Sequence, residues 1–156
     1  MRKKFIELLD FEMSINEKIV VIIGDVGFGF FDDLIKKYPK RIINPGASEQ
    51  LILGMASGIA MEGFIPIVYS ITPFILFRPF EFIRNYLNHE KIPVKIVGVG
   101  RNQDYGSLGF THYANDDDII KNSFENIEIF RPKDNYELEL NTFLYNNKPS
   151  YLNITR

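Results

Sequence analysis

A chain of 156 residues with 46% hydrophobic and 24% charged side chains is long enough to bury one sizeable core and has the composition of a globular domain. Its net charge of -2, with no basic run, excludes nucleic acid as a partner, because phosphate binding needs clustered Lys and Arg. Cysteine is absent and the only histidines are His89 and His112, which excludes disulfides, thiol catalysis and an all-protein zinc site.

The opening "MRKKFIELLDFEMS" is basic but lacks the apolar run of a signal peptide, and no segment approaches the roughly 20 apolar residues of a membrane span. The expectation is a soluble cytoplasmic protein that forms one domain over residues 1–156. Residues 2–12 have helical spacing, with Phe5, Leu8, Leu9 and Met13 along one side. "KIVVIIGD" is a β-branched run ending in Gly-Asp, the pattern of a buried strand. "FFDDLIKKY" predicts a helix stopped by Pro39, "RIIN" a short strand, residues 48–62 a helix and "PIVYS" a strand. A helix over "FEFIRNYLNHE" and a buried strand over "VKIVGVG" follow, then an irregular polar stretch, "RNQDYGSLGFTHYAN". The chain closes with a short helix at "DDDIIKNSF", a strand at "IEIF", a helix at "NYELELNTFLYN" and a strand at "SYLNI". Strand and helix alternate about six times, which predicts an α/β fold with a mostly parallel six-stranded sheet between two helical layers. Such folds bind ligands at the carboxyl ends of their strands, so "GDVGFG", "NPGASE", "SITPF" and "GRNQDYGSLGFTH" are the loops to weigh.

"GDVGFG" has the spacing G-x-x-G-x-G rather than the dinucleotide pattern G-x-G-x-x-G, and reads first as a glycine-rich turn. Glu49 opens the helix at 48–62. An acid in a first turn is accounted for by the helix macrodipole, worth about 0.3–1 kcal/mol. The macrodipole does not account for Gly54 and Gly58 in the same helix, which cost roughly 1 kcal/mol each relative to Ala. Their presence predicts close approach of another backbone, which would shield the acid. Phe74, Phe77 and Phe80 recur every three residues, as core side chains commonly do, yet they straddle a strand-to-helix junction at the ligand-bearing edge. His112 lies in a long loop after a buried strand, a setting common to incidental and functional histidines alike. His89, at a helix end, complements the helix C-terminus.

"GDVGFG", "NPGASEQLILGMASGIAMEG", "SITPFILFRPFEFIRN", "VKIVGVG" and "GFTH", in this order, resemble the pyrimidine-binding domain of the transketolase family of thiamine diphosphate enzymes. The resemblance covers residues 18–156. It implies that Glu49 hydrogen-bonds the ring nitrogen of the cofactor's aminopyrimidine and favours the imino tautomer that takes the proton from the thiazolium carbon. It further implies that Phe74, Phe77 and Phe80 seat the pyrimidine, with Phe77 the foremost stacking residue. Val26 matches the apolar residue that keeps the cofactor bent, with Asp25 beside it, and His112 matches the histidine of G-P-T-H that faces substrate. Phe110 replaces the usual proline of that motif, and Leu108 stands where classical transketolases carry an acid facing the sugar donor. Arg101, ending the strand "VKIVGVG", is a surface arginine or a contact for a substrate phosphate.

The resemblance places the diphosphate and Mg²⁺ on a different domain, through "GDG" and a later Asn. Here "GDV" lacks the glycine, and Asn44 comes too soon. The implied protein is the small subunit of a split enzyme, paired with a larger subunit as α2β2 and moving a two-carbon ketol unit between sugars or sugar phosphates. A 2-oxoacid decarboxylase or dehydrogenase component, a deoxyxylulose-phosphate-synthase-like enzyme and a non-catalytic regulatory subunit are the alternatives.

Overall fold

The structure is a computed structural model and describes residues 1–156. Six strands, β1 (Ile19–Ile23), β2 (Ile42–Ile43), β3 (Ile65–Ile71), β4 (Lys95–Val99), β5 (Glu128–Phe130) and β6 (Ser150–Ile154), form one sheet. Its order is β2-β1-β3-β4-β6-β5, and every neighbouring pair is parallel. The apolar strand runs follow from this arrangement, because alternate side chains enter different cores. Ile19, Val21 and Ile23 of β1 pack with α1 (Arg2–Ile15) through Phe5, Leu9 and Met13, and with α7 (Asn141–Tyr145) through Phe143 and Leu144. Ile22, Val68 and Ile96 point the other way. They meet Ile52, Leu53, Ala56 and Ala60 of α3 (Glu49–Met61), Ile75 and Leu76 of α4 (Thr72–Phe77), and Ile120 of α6 (Ile119–Ser123). A short helix, α2 (Asp32–Lys37), links β1 to β2.

All six predicted strands are present, and three helical segments differ from the sequence reading. The helix α4 begins directly at the end of β3, within the segment "SITPF" that reads as a loop in the sequence. Proline is tolerated in a first helical turn, where its missing N–H has no intrahelical partner. The next helix starts as one turn, α5 (Phe80–Phe82), and then widens into a π-helix over Ile83–His89. The segment 135–146 is helical only in its second half. Leu138 and Leu140 insert into the core instead, and the Asp134 carboxylate accepts the backbone N–H groups of Tyr136 and Glu137 at 2.8 and 3.1 Å.

The chain leaves β1 for β2 on one side and returns to β3 on the other. This reversal makes the carboxyl ends of β1 and β3 the topological switch point. Ile23 pairs with Tyr69 there, and the Gly24 N–H donates to the Tyr69 carbonyl at 3.1 Å.

Candidate active site

The crossover from β2 to β3 brings the start of α3 over this switch point. Glu49, the first residue of the helix, is only 2% exposed. A buried carboxylate needs partners, since stripping its water without replacing the hydrogen bonds is costly. Ser70, fully buried on β3, donates its hydroxyl to Glu49 Oε1 at 3.3 Å. Gly24 makes room for this contact, because a Cβ there would stand 3.2 Å from Ser70 Oγ. The second partner is Arg78, just beyond α4. Its Nη1 lies 2.9 Å from Oε1 and 2.8 Å from Oε2 of Glu49. The guanidinium carbon sits 3.8 Å above the centroid of the Phe74 ring, within cation–π range. Phe74 in turn meets the His112 ring edge-on, with centroids 4.9 Å apart. Glu49, Phe74 and His112, separated by up to 63 positions in the chain, are thereby joined through one arginine. The Thr111 hydroxyl is 3.0 Å from His112 Nδ1, which leaves Nε2 as the ring nitrogen open to a ligand.

Asp25 and Val26 stand at the end of β1 and line a cavity of about 210 Å³ with Tyr69, Ile71, Val99 and Tyr105. Asp25 has φ 54°, a left-handed conformation that Asp and Asn tolerate better than other non-glycine residues. Asn44 holds it there. Asn44 Oδ1 accepts the Asp25 backbone N–H at 3.2 Å, and Asn44 Nδ2 donates to the Asp25 carboxylate at 3.3 Å. Gly27 follows with φ 81°, and a Cβ there would stand 2.8 Å from the Phe31 ring, so this turn requires glycine.

The three phenylalanines of the stripe separate. Phe74 belongs to the Glu49–Arg78 group. Phe77 lines a second cavity, of about 350 Å³, with Pro73, Phe110, Thr111 and Tyr113. Phe80 packs on Phe124 at 5.1 Å, against the α3-side core. Arg101 has most of its guanidinium committed to the fold. Nε donates to Asn153 Oδ1 at 2.7 Å, and Nη2 donates to the Asn153 carbonyl. Burial lowers its pKa from the ordinary arginine value. Asn153 is itself fully buried and donates to Thr72 Oγ1 at 3.0 Å and Tyr151 Oη at 3.0 Å. Arg101 therefore pins the ends of β4 and β6, which the sequence did not show.

Arg78 is the site residue that sequence reading missed. It stands in a run of aromatics, 29 positions from Glu49, and no local pattern reports so distant a pair. The available signal was that Glu49 needed a cation and that Arg78 followed the ligand-bearing edge.

A parallel α/β domain with one shielded carboxylate and aromatic faces at its switch point is a small-molecule or cofactor-binding domain. The chain belongs to the family described as "Transketolase, pyrimidine binding domain", which it matches over residues 1–156. It is 34% identical over 98 residues to one of the subunits of the apulose-4-phosphate transketolase of Actinobacillus succinogenes, covering 63% of this chain and 32% of that protein. The protein of the same description from Phocaeicola vulgatus is 30% identical over 138 residues, covering 85% of this chain and 43% of that one. A solved structure described as "Split gene transketolase, inactive beta4 tetramer" superposes with a TM-score of 0.82 at 27% identity, over 99% of this chain and 50% of that chain. The chain thus spans about a third to a half of the length of these relatives.

Proposed function

We propose that this chain is the pyrimidine-binding part of a split, thiamine diphosphate-dependent transketolase-like enzyme that moves a two-carbon ketol unit between sugars or sugar phosphates. The observation that carries the proposal is Glu49, a carboxylate 2% exposed at the switch point of a transketolase-family fold. The residues present fit the aminopyrimidine end of the cofactor. A shielded acid can exchange a hydrogen bond with a ring nitrogen, Phe77 lines a cavity, Phe74 already holds a planar cation on its face, and Val26 offers an apolar wall. When bound, thiamine diphosphate supplies the carbanion-stabilising chemistry that no side chain provides. Glu49 holds or shares a proton at the aminopyrimidine ring nitrogen, in a site where little water competes for either partner. Phe74 and Phe77 orient the ring. His112 presents Nε2 to substrate oxygens or to a proton in transit.

The oxygen-bearing side chains at the rim, Asp25 and Asn44, are engaged with each other. The proposal therefore assigns the diphosphate and Mg²⁺ to a larger partner subunit, in an α2β2 assembly in the cytoplasm. Two of the relatives are named as single subunits of a transketolase, which supports an enzyme of more than one chain. Phe28 and Phe110, 75% and 83% exposed beside the two cavities, give that partner an apolar surface to cover. Calorimetric titration with thiamine diphosphate and Mg²⁺ tests the reading. Uptake by the mixed chains, but by neither alone, is expected. A complex of the two chains that takes up no cofactor would overturn it.

A further inference from the structure

We propose that Arg78 is a placeholder for the aminopyrimidine, and that Glu49 becomes available to a ligand only when Arg78 withdraws. This rests on the functional reading above and concerns how its site is held before the cofactor arrives.

The contacts of Arg78 are of the two kinds that an aminopyrimidine requires. A guanidinium is a flat, nitrogen-rich group with N–H donors in its plane and a face that stacks on aromatic rings. Here one in-plane nitrogen, Nη1, meets both oxygens of Glu49, and the face lies 3.8 Å above Phe74. An aminopyrimidine would put an in-plane nitrogen against the same acid and its face against the same ring. Arginine and ligand compete for one carboxylate and one aromatic face.

The two partners differ in their freedom to leave. Glu49 is buried at the start of α3 and keeps Ser70 as a fixed second partner. The Arg78 side chain is 45% exposed, and its hydrogen bonds go to Glu49 alone. Withdrawal of Arg78 into water would cost it one carboxylate, which solvent replaces. It would leave Glu49 with Ser70, and Phe74 with one face open and His112 at its edge. A permanent counter-ion would behave differently, because it would remain beside the bound ring and contribute to its affinity.

Arg78→Met and Arg78→Lys distinguish the two. Lysine keeps a charge for Glu49 and so protects folding, but it lacks the planar face. In the chain alone, thermal unfolding of wild type, Arg78→Met, Glu49→Gln and the double variant forms a cycle. Loss of the arginine should lower the melting temperature of the wild-type background, and do so far less in the Glu49→Gln background. In the complex with the larger subunit, calorimetry with thiamine diphosphate and Mg²⁺ should show tighter binding by Arg78→Met. The gain should be about tenfold, the factor expected where the latched form holds roughly nine-tenths of the molecules. Arg78→Lys should fall between. Unchanged or weaker binding by both variants, with wild type binding normally, would overturn the placeholder and leave the functional reading intact. No binding by the wild-type complex would overturn both.

Discussion

Lys95 enters β4 with 1% of its surface exposed, and its ammonium is met by Asn146 Oδ1 at 2.5 Å, the Lys148 carbonyl at 2.6 Å and Ser150 Oγ at 3.4 Å. Burial pulls its pKa down to about 8 from 10.5, with Glu128 opposing. Between these values the unfolded chain holds a proton that the folded chain has released, so stability from this group rises with pH over that window. The folded tyrosines Tyr69 and Tyr151, pushed up by burial, act in the same sense as each other only above about pH 10, where an ordinary tyrosine ionises. There the unfolded chain loses protons that the folded chain keeps, so stability falls with pH and opposes the lysine. Urea midpoints should therefore climb from about pH 8 to about pH 10 in the wild type, and Lys95→Met should flatten that climb. Asn153 offers a second test at this scale. Its amide group joins Arg101, Thr72 and Tyr151 at the buried ends of three elements. Asn153→Ala would leave several of these groups without partners and should cost about 3 kcal/mol, read from the same urea midpoints.

Along α3, the two glycines that suggested close backbone approach have different causes. A Cβ on Gly54 would stand 3.2 Å from the Phe82 ring, so packing within the chain accounts for that position. Gly58 is exposed, and nothing lies within 4 Å of a Cβ built there. Alanine at 58 should therefore stabilise the chain alone by roughly 0.5–1 kcal/mol through helix propensity. If a partner covers this face in the assembled enzyme, the same substitution should weaken association, measured by sedimentation of the mixed chains. Stabilisation together with unimpaired association would place the interface elsewhere. The elements themselves were legible to very different degrees. Strands such as "KIVVIIGD" declare themselves because burial on both faces demands unbroken apolar runs. The helix α4 was hidden by Pro73, which is neutral in a first turn and a breaker in a helix interior. The segment "NYELELNTFLYN" reads as one helix, but Leu138 and Leu140, two positions apart, have the period of extended chain and anchor in the core ahead of the helix at Asn141–Tyr145.

At the scale of the molecule, strand order and site follow from one another. The order β2-β1-β3 creates a crevice at the ends of β1 and β3, and α3 delivers an acid into it. The acid and its glycine-rich helix could be read from residues 44–63, because an amino-terminal carboxylate ahead of small residues is a local pattern. Its counter-ion could not, since Arg78 reaches Glu49 only through the fold. The commitment of Arg101 to Asn153 was hidden for the same reason, across 52 positions of sequence.

In the proposed function, Glu49 activates a cofactor shared with a second chain. The decisive experiment is ketol transfer from hydroxypyruvate to a panel of aldoses by this chain mixed with the larger subunit, thiamine diphosphate and Mg²⁺, beside the same mixture carrying Glu49→Gln. Turnover should need both chains and fall roughly 10²–10⁴-fold in the variant, the range for loss of a positioned acid–base group. Equal turnover by wild type and Glu49→Gln would remove Glu49 from the chemistry.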